Sequence, residues 1–146
     1  MKKVKMLLFV LVLLSTTFVG CSKEGCTDPD SINYNPDAKK DDGSCQYEGK
    51  VVFWYNQATA DALLADGATA LTYYVDGQVV GSTDASVYWT AAPDCDESGS
   101  VTVKTSLGGD KTKSYTYSVK DQTGYEYWSG VSNYTANTCS AKELTW

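Results

Sequence analysis

From Lys50 onward, apolar residues recur at every second position, the period of a strand with one buried face. In Lys50–Tyr55, Val51, Phe53 and Tyr55 fall on one face and Trp54 on the other, because successive strand side chains point to opposite sides. Ala70–Val75 groups Leu71, Tyr73 and Val75, with Tyr74 opposite. Asp76-Gly77 then leads into Gln78–Gly81, and Asp-Gly between two such runs predicts a two-residue type I′ hairpin. Ser86–Trp89 reads as another short strand. Ser100–Leu107 aligns Val101, Val103 and Leu107. After the turn Gly108-Gly109-Asp110, Thr112–Lys120 aligns Tyr115, Tyr117 and Val119. Tyr125–Tyr134 and the tail Cys139–Trp146 supply the last strands. Ala58–Asp66, richer in Ala and Leu, predicts a single helical turn or a long loop. Short strands at even spacing, joined by Gly-rich turns, predict an all-β fold, an antiparallel β-sandwich over residues 48–146.

The first third of the chain lacks this alternation. Met1–Gly20 reads as an export signal: Lys2, Lys3 and Lys5 precede the unbroken apolar run Met6–Leu14, which is too short for a membrane span. Residues 21–47 read as a separate acidic, cysteine-closed module. Its Asp28-Pro29, Asn35-Pro36 and Asp42-Gly43 are turn signals, and no helical or strand period survives between them.

Composition narrows the chemistry. The 146 residues carry a net charge of −6, no His, and 12 basic residues that are all Lys. The commonest general acid/base and metal ligand is therefore missing, as is the bidentate phosphate clamp of Arg. An acidic chain without Arg is also a poor nucleic-acid binder, so no nucleic-acid partner is expected. Once the leader is removed, 126 residues carry nine Lys against 18 acids, a net charge of −9. Such a body is repelled by an anionic membrane surface, and a lipid would have to hold it there.

Five cysteines leave four if Cys21 is modified, and an even remainder in an exported chain reads as two disulfides. Cys26, Cys45, Cys95 and Cys139 allow three pairings. Cys26–Cys45 with Cys95–Cys139 is preferred, because each pair then stays within one compositional segment, and the second pair is expected to hold the two sheets together. Metal ligation by these thiols is disfavoured by the absence of CxxC spacing and of His.

Three resemblances extend this reading. Phe18-Val19-Gly20-Cys21 resembles the lipobox of bacterial lipoproteins, with Phe18 where Leu is usual. The resemblance implies cleavage before Cys21, a diacylglyceryl thioether on its sulfur and acylation of the new N-terminus. Ser22 at the next position implies the outer membrane. Gly25–Cys45 resembles a short repeat of secreted Bacteroidota proteins, of the form G-C-T-D-P-x-A-x-N-Y-N-P-x-A-x-x-D-D-G-S-C, with Ser31 in place of Ala. It covers about a sixth of the chain and implies a surface or secreted protein with a Cys26–Cys45 bridge. Tyr74–Gly81 and Gly124–Gly130 resemble segments of small PEGA or transthyretin-like sandwich domains, which implies a sandwich of transthyretin-like or immunoglobulin-like kind. Asp30-Ser31-Ile32 also matches the Bacteroidota O-glycosylation pattern, making Ser31 a candidate acceptor.

Two candidate sites remain. Asp28, Asp30, Asn33, Asn35, Asp37, Asp41 and Asp42 crowd into fifteen positions and could offer oxygen ligands to Ca²⁺, though EF-hand spacing is absent. The competing reading is a stapled spacer whose Asp and Asn cap their own turns, with no cofactor required. Trp54, Tyr74, Trp89, Tyr127 and Trp128 stand beside core positions. Of these, Trp54, Tyr74 and Trp128 are the candidates to stack on a glycan or meet a protein partner, unless packing or Lys stems cover them. Glu48, Glu97, Glu126 and Glu143 have no distinguishing context, and no nucleophile–base pair is legible. The expectation is a non-catalytic, lipid-anchored protein of the cell envelope that presents a sandwich for interaction or for a structural role, with an envelope protein or a glycan as the partner to be expected. The alternative is a glycan-binding module.

Overall fold

The computed structural model describes residues 22–146; the leader and the expected acyl acceptor Cys21 lie outside the described residues. Seven strands and one helix are described: β1 (Tyr47–Trp54), α1 (Gln57–Ala65), β2 (Ala70–Val75), β3 (Gln78–Asp84), β4 (Val101–Gly108), β5 (Thr112–Asp121), β6 (Glu126–Thr135) and β7 (Cys139–Glu143). They form two sheets, β4-β1-β7 and β3-β2-β5-β6, in which every pairing is antiparallel except β1 with β7. The fold is an all-β sandwich. No described helix is long and apolar enough to cross a membrane.

The alternation read from the sequence decides which side chains meet between the sheets. Val51, Phe53 and Tyr55 face Leu71, Tyr73 and Val75 across the core, joined by Val101, Val103, Leu107, Tyr117 and Val119. Phe53 packs its ring against Tyr73 and Tyr117, with centroids 5.9 and 5.3 Å away. The β2–β3 turn has φ of 50° at Asp76 and 75° at Gly77, the two positive values that a type I′ hairpin requires.

Three sequence expectations are corrected. Ala58–Asp66 is neither a single turn nor a loop but most of α1. Asn56 caps it by accepting from the Thr59 N–H at 3.0 Å, Ala and Leu favour it, and Ala60 and Leu63 are buried against the sandwich. Ser86–Trp89 is not a strand. It belongs to a long connection, residues 85–100, which lies over the outer face of the three-stranded sheet. The Trp89 N–H donates to the Tyr55 carbonyl, the Asp96 N–H donates to Thr102 Oγ1, and Lys50 pairs with Asp96. Pro93 is buried in this connection, and Val52, which points away from the main core, is fully buried. The Cys95–Cys139 disulfide therefore does not join the sheets; it pins this connection to β7.

The Cys26–Cys45 disulfide closes the acidic module. A boundary was expected between residues 47 and 48, but β1 begins at Tyr47 and runs across it. Cys26, Cys45 and Tyr47 belong to the same buried cluster as the sandwich core. The module is packed onto the end of the sandwich at which β1 begins.

Candidate functional site

The oxygens of the acidic module are committed to its own turns and to docking. Asp28 accepts from the Asp30 N–H at 3.0 Å and from the Tyr47 hydroxyl at 2.9 Å. Lys111, from the β4–β5 turn, lies 2.6 Å from Asp28 and 3.1 Å from Asp30, with its ammonium 5.8 Å from the centre of the Tyr47 ring. The Lys111 ammonium holds the Asp28 carboxyl below the usual carboxylate range, helped by the Asp30 N–H. Asp28 and then Asp30 raise Lys111 above its own usual value. Asn33 donates to the Ser44 carbonyl and accepts from the Gln46 N–H, and Asn35 accepts from the Asp37 N–H. Asp37 pairs with Lys23, while Asp41 and Asp42 cap the N–H groups of Gly43 and Ser44. Among the described residues, no three acidic side chains converge as a metal-binding group. Ser31, the candidate glycan acceptor, is corrected: it is buried, with its hydroxyl 2.7 Å from Cys26 Sγ, and the folded chain does not present it.

The structure does not bring Trp54, Tyr74 and Trp128 together. Trp54 and Tyr74 point outward from opposite sheets, and both are half-buried. The Lys120 ammonium lies over the Tyr74 ring, 5.6 Å from its centre, so a Lys already occupies that face. Trp128 sits at the rim of the core. It stacks at 6.2 Å on Tyr55, and its indole N–H donates to the Thr145 carbonyl at 2.8 Å.

Around Trp128, however, the fold assembles an aromatic groove of about 400 Å³, lined by Asp66, Tyr125, Tyr127, Trp128, Thr145 and Trp146. Three local features build it. Opposite β5, Glu126 pairs with Lys120 and Trp128 with Val119, leaving Tyr127 as an extra residue. This β-bulge re-aims Tyr127 so that consecutive residues Tyr127 and Trp128 both pack at the core rim. The β5–β6 turn holds Tyr125: Asp121 Oδ1 accepts from the N–H groups of Thr123 and Tyr125 and from the Thr123 hydroxyl, and Gly124 takes a φ of +90°. The tail is fixed where the Leu144 N–H donates to the Trp54 carbonyl and the Leu144 side chain is buried, which brings Trp146 to 5.6 Å from Tyr127.

The Tyr127 hydroxyl donates to Asp66 Oδ2 at 2.8 Å; partial burial, and then this carboxylate, push the phenol up to about 12. Tyr125 and Trp146 are 61 % and 63 % exposed, so their ring faces are open to solvent. Sequence reasoning singled out Trp128 and noticed Tyr127. It missed Tyr125, Trp146 and Asp66, which join the site only through the bulge, the tail and the end of α1. The groove lies where β1 ends and the acidic module where β1 begins, about 24 Å apart at ordinary strand rise.

A second groove, about 440 Å³, runs beside Cys95–Cys139 and is lined by Ile32, Glu48, Lys50, Asp96 and Lys104, among others. Its charges answer one another as Lys50–Asp96 and Lys104–Glu48. The other glutamates are equally dispersed: Glu126 pairs with Lys120, Glu97 accepts from the Asp94 N–H, and Glu143 lies on β7.

No family model matches this chain, and no solved structure matches it. A stretch of 25 residues, 17 % of the chain, is 64 % identical to ribulose bisphosphate carboxylase/oxygenase activase 1, chloroplastic, of Larrea tridentata. The matched stretch spans 5 % of that protein's length, which indicates a shared short segment and carries no activity across.

Proposed function

We propose that this chain is a non-catalytic lipoprotein of the bacterial cell envelope, tethered through acyl chains on Cys21 and holding a β-sandwich away from the membrane to meet a partner. The observation that carries the reading is polarity. The module that follows Cys21 in sequence is docked at one end of the sandwich, and the most exposed cluster of large aromatic side chains is at the other. Two disulfides among the described residues suit an oxidising compartment, and the apolar leader ending at Cys21 supplies the route to it. The absence of His from the sequence, and the occupation of Glu48 and Glu126 by Lys and of Glu97 by backbone, support a binding rather than a catalytic role. Resemblance to lipoproteins of Bacteroidota favours the outer membrane.

The test is the state of the mature N-terminus. Intact mass of the mature protein is expected to show a start at Cys21 carrying acyl chains. Cys21→Ala is expected to move the protein from the detergent phase to the aqueous phase on Triton X-114 partition. A mature chain that starts elsewhere, or a wild-type protein found in the aqueous phase, would overturn the reading.

A further inference from the structure

The rings of the aromatic groove are inclined rather than coplanar: Tyr127 meets Tyr125 at 76°, Trp128 at 44° and Trp146 at 42°. The four rings border one concavity, and aromatic faces bordering a concavity attract a compact cation. Among the described residues, the only charged side chain lining the groove is the carboxylate of Asp66. Asp66 is also the C-cap of α1, a helix with no basic residue in its last turn. The carbonyl end of a helix is itself partly negative and ordinarily favours Lys or Arg, so carboxylate and helix terminus act in the same direction. Elsewhere the chain supplies its own cations to its rings. Lys111 lies over Tyr47, Lys113 over Tyr115, Lys120 over Tyr74 and Lys142 over Tyr117. Among the described residues, no Lys lines this groove.

Hydrogen-bond accounting narrows the cation. The Trp128 N–H is spent on Thr145 and the Tyr127 hydroxyl on Asp66. The Asp66 carboxylate already accepts one of these bonds, so a primary ammonium, with three N–H donors, would need further acceptors, and a saccharide needs an array of directional partners, whereas a quaternary ammonium brings no N–H at all. A phosphocholine head group would place a phosphate near Asp66 with no cation to answer it. We infer that this groove binds the quaternary-ammonium group of a small solute that carries no attached anion. The inference stands independently of how the chain is anchored.

The experiment is a tryptophan-fluorescence titration of the full chain at matched ionic strength, with choline chloride against its neutral isostere 3,3-dimethylbutan-1-ol. Choline is expected to saturate the signal and to bind at least about tenfold more tightly than the isostere, since the charge acts on several ring faces and one carboxylate. Asp66→Asn is expected to weaken choline about tenfold and Trp146→Ala about fivefold, with melting temperatures within about 2 °C of the parent because both side chains are exposed. Equal affinity for choline and the isostere would overturn the inference, leaving an apolar slot. Unchanged choline affinity in Asp66→Asn would also overturn it. So would binding of phosphatidylcholine vesicles or of chitohexaose without binding of choline, the last favouring a glycan site.

Discussion

Where β1 begins, Asp28 and the ring of Tyr47 flank the ammonium of Lys111; where β1 ends, Asp66 and four rings flank no lysine among the described residues. The same ingredients, carboxylate and aromatic face, are completed from within at one end and left open at the other. At the first end the cation ties residues 22–46 to the β4–β5 turn, so its contacts serve cohesion. At the second, Asp66 is placed against the preference of its own helix terminus, and Tyr125 and Trp146 remain solvent-exposed. The Lys111-paired carboxylate belongs to the architecture, whereas the carboxylate of Asp66, with no lysine beside it among the described residues, is the one that the proposed cation would complete.

The sharpest way to break this contrast is through the disulfides. Chain entropy puts the closure of the 44-residue separation of Cys95–Cys139 at about 4 kcal/mol and the 19-residue separation of Cys26–Cys45 at about 3 kcal/mol. Cys95→Ser/Cys139→Ser and Cys26→Ser/Cys45→Ser should therefore both lower the urea midpoint strongly, the first more than the second, with steeper slopes because the denatured chain opens further without its cross-link. Because Cys26 and Cys45 are part of the shared core, the second pair should destabilise the sandwich and not the module alone. A Cys26→Ser/Cys45→Ser variant that melts like the parent would make the module an appendage and end its architectural reading.

A smaller effect is expected from Lys111→Met, which keeps an apolar stem and removes the charge. Asp28 is held below its ordinary range by Lys111, so its contribution is present above the ordinary carboxylate pKa and lost as pH falls through the lowered value. Lys111 is raised, so its contribution is present below the ordinary Lys value and lost only as pH rises through the higher one. Between about pH 5 and pH 10 the docking should be constant. The variant is expected to melt a few degrees below the parent at pH 7, and the gap should close as pH falls through the lowered Asp28 value. A gap that persists unchanged into acid would show that Lys111 acts through packing and not through the Asp28 charge.

Sequence legibility divides along the same line. Strand alternation is a local property, and Val51/Phe53/Tyr55 against Trp54 is readable from it, as is the Asp76-Gly77 turn between two such runs; the cysteine pairs are readable from the even count and from the compositional segment each pair shares. The length of α1 was less so, since its signal is one cap at Asn56 and a short Ala/Leu run. Ser86–Trp89 has strand-like composition, but the nearby Cys95–Cys139 tether and the burial of Pro93 hold that segment over a sheet instead of within one. The groove was the least legible. Residues 66, 125–128 and 146 are brought together by a one-residue slip in β6 and by the Leu144–Trp54 hydrogen bond, neither of which leaves a periodic trace. Parity alone would place Tyr127 and Trp128 on opposite faces, and the bulge places both at the core rim.

The smallest expected effect is also the finest probe of the contrast. Calcium sites of extracellular modules have dissociation constants of about 0.1–1 mM. Such a site at about 5 mM Ca²⁺ would stabilise the fold by roughly 1–2 kcal/mol through mass action. Asp28 and Asp30 are held by Lys111, Asp37 by Lys23, and Asp41 and Asp42 by their own turn, so a calcium ion would have to displace a cation or open a turn. The parent chain is therefore expected to show no calorimetric heat and a melting temperature unchanged within about 1 °C. Stabilisation of the parent by calcium would mean that the turn caps yield to a metal and that the acidic end is a binding site after all. Repeating the titration on Lys111→Met frees two carboxylates beside Tyr47. A gain confined to that variant would identify Lys111 as the chain's own occupant of a cation position, which is the relation to the open groove that the comparison asserts.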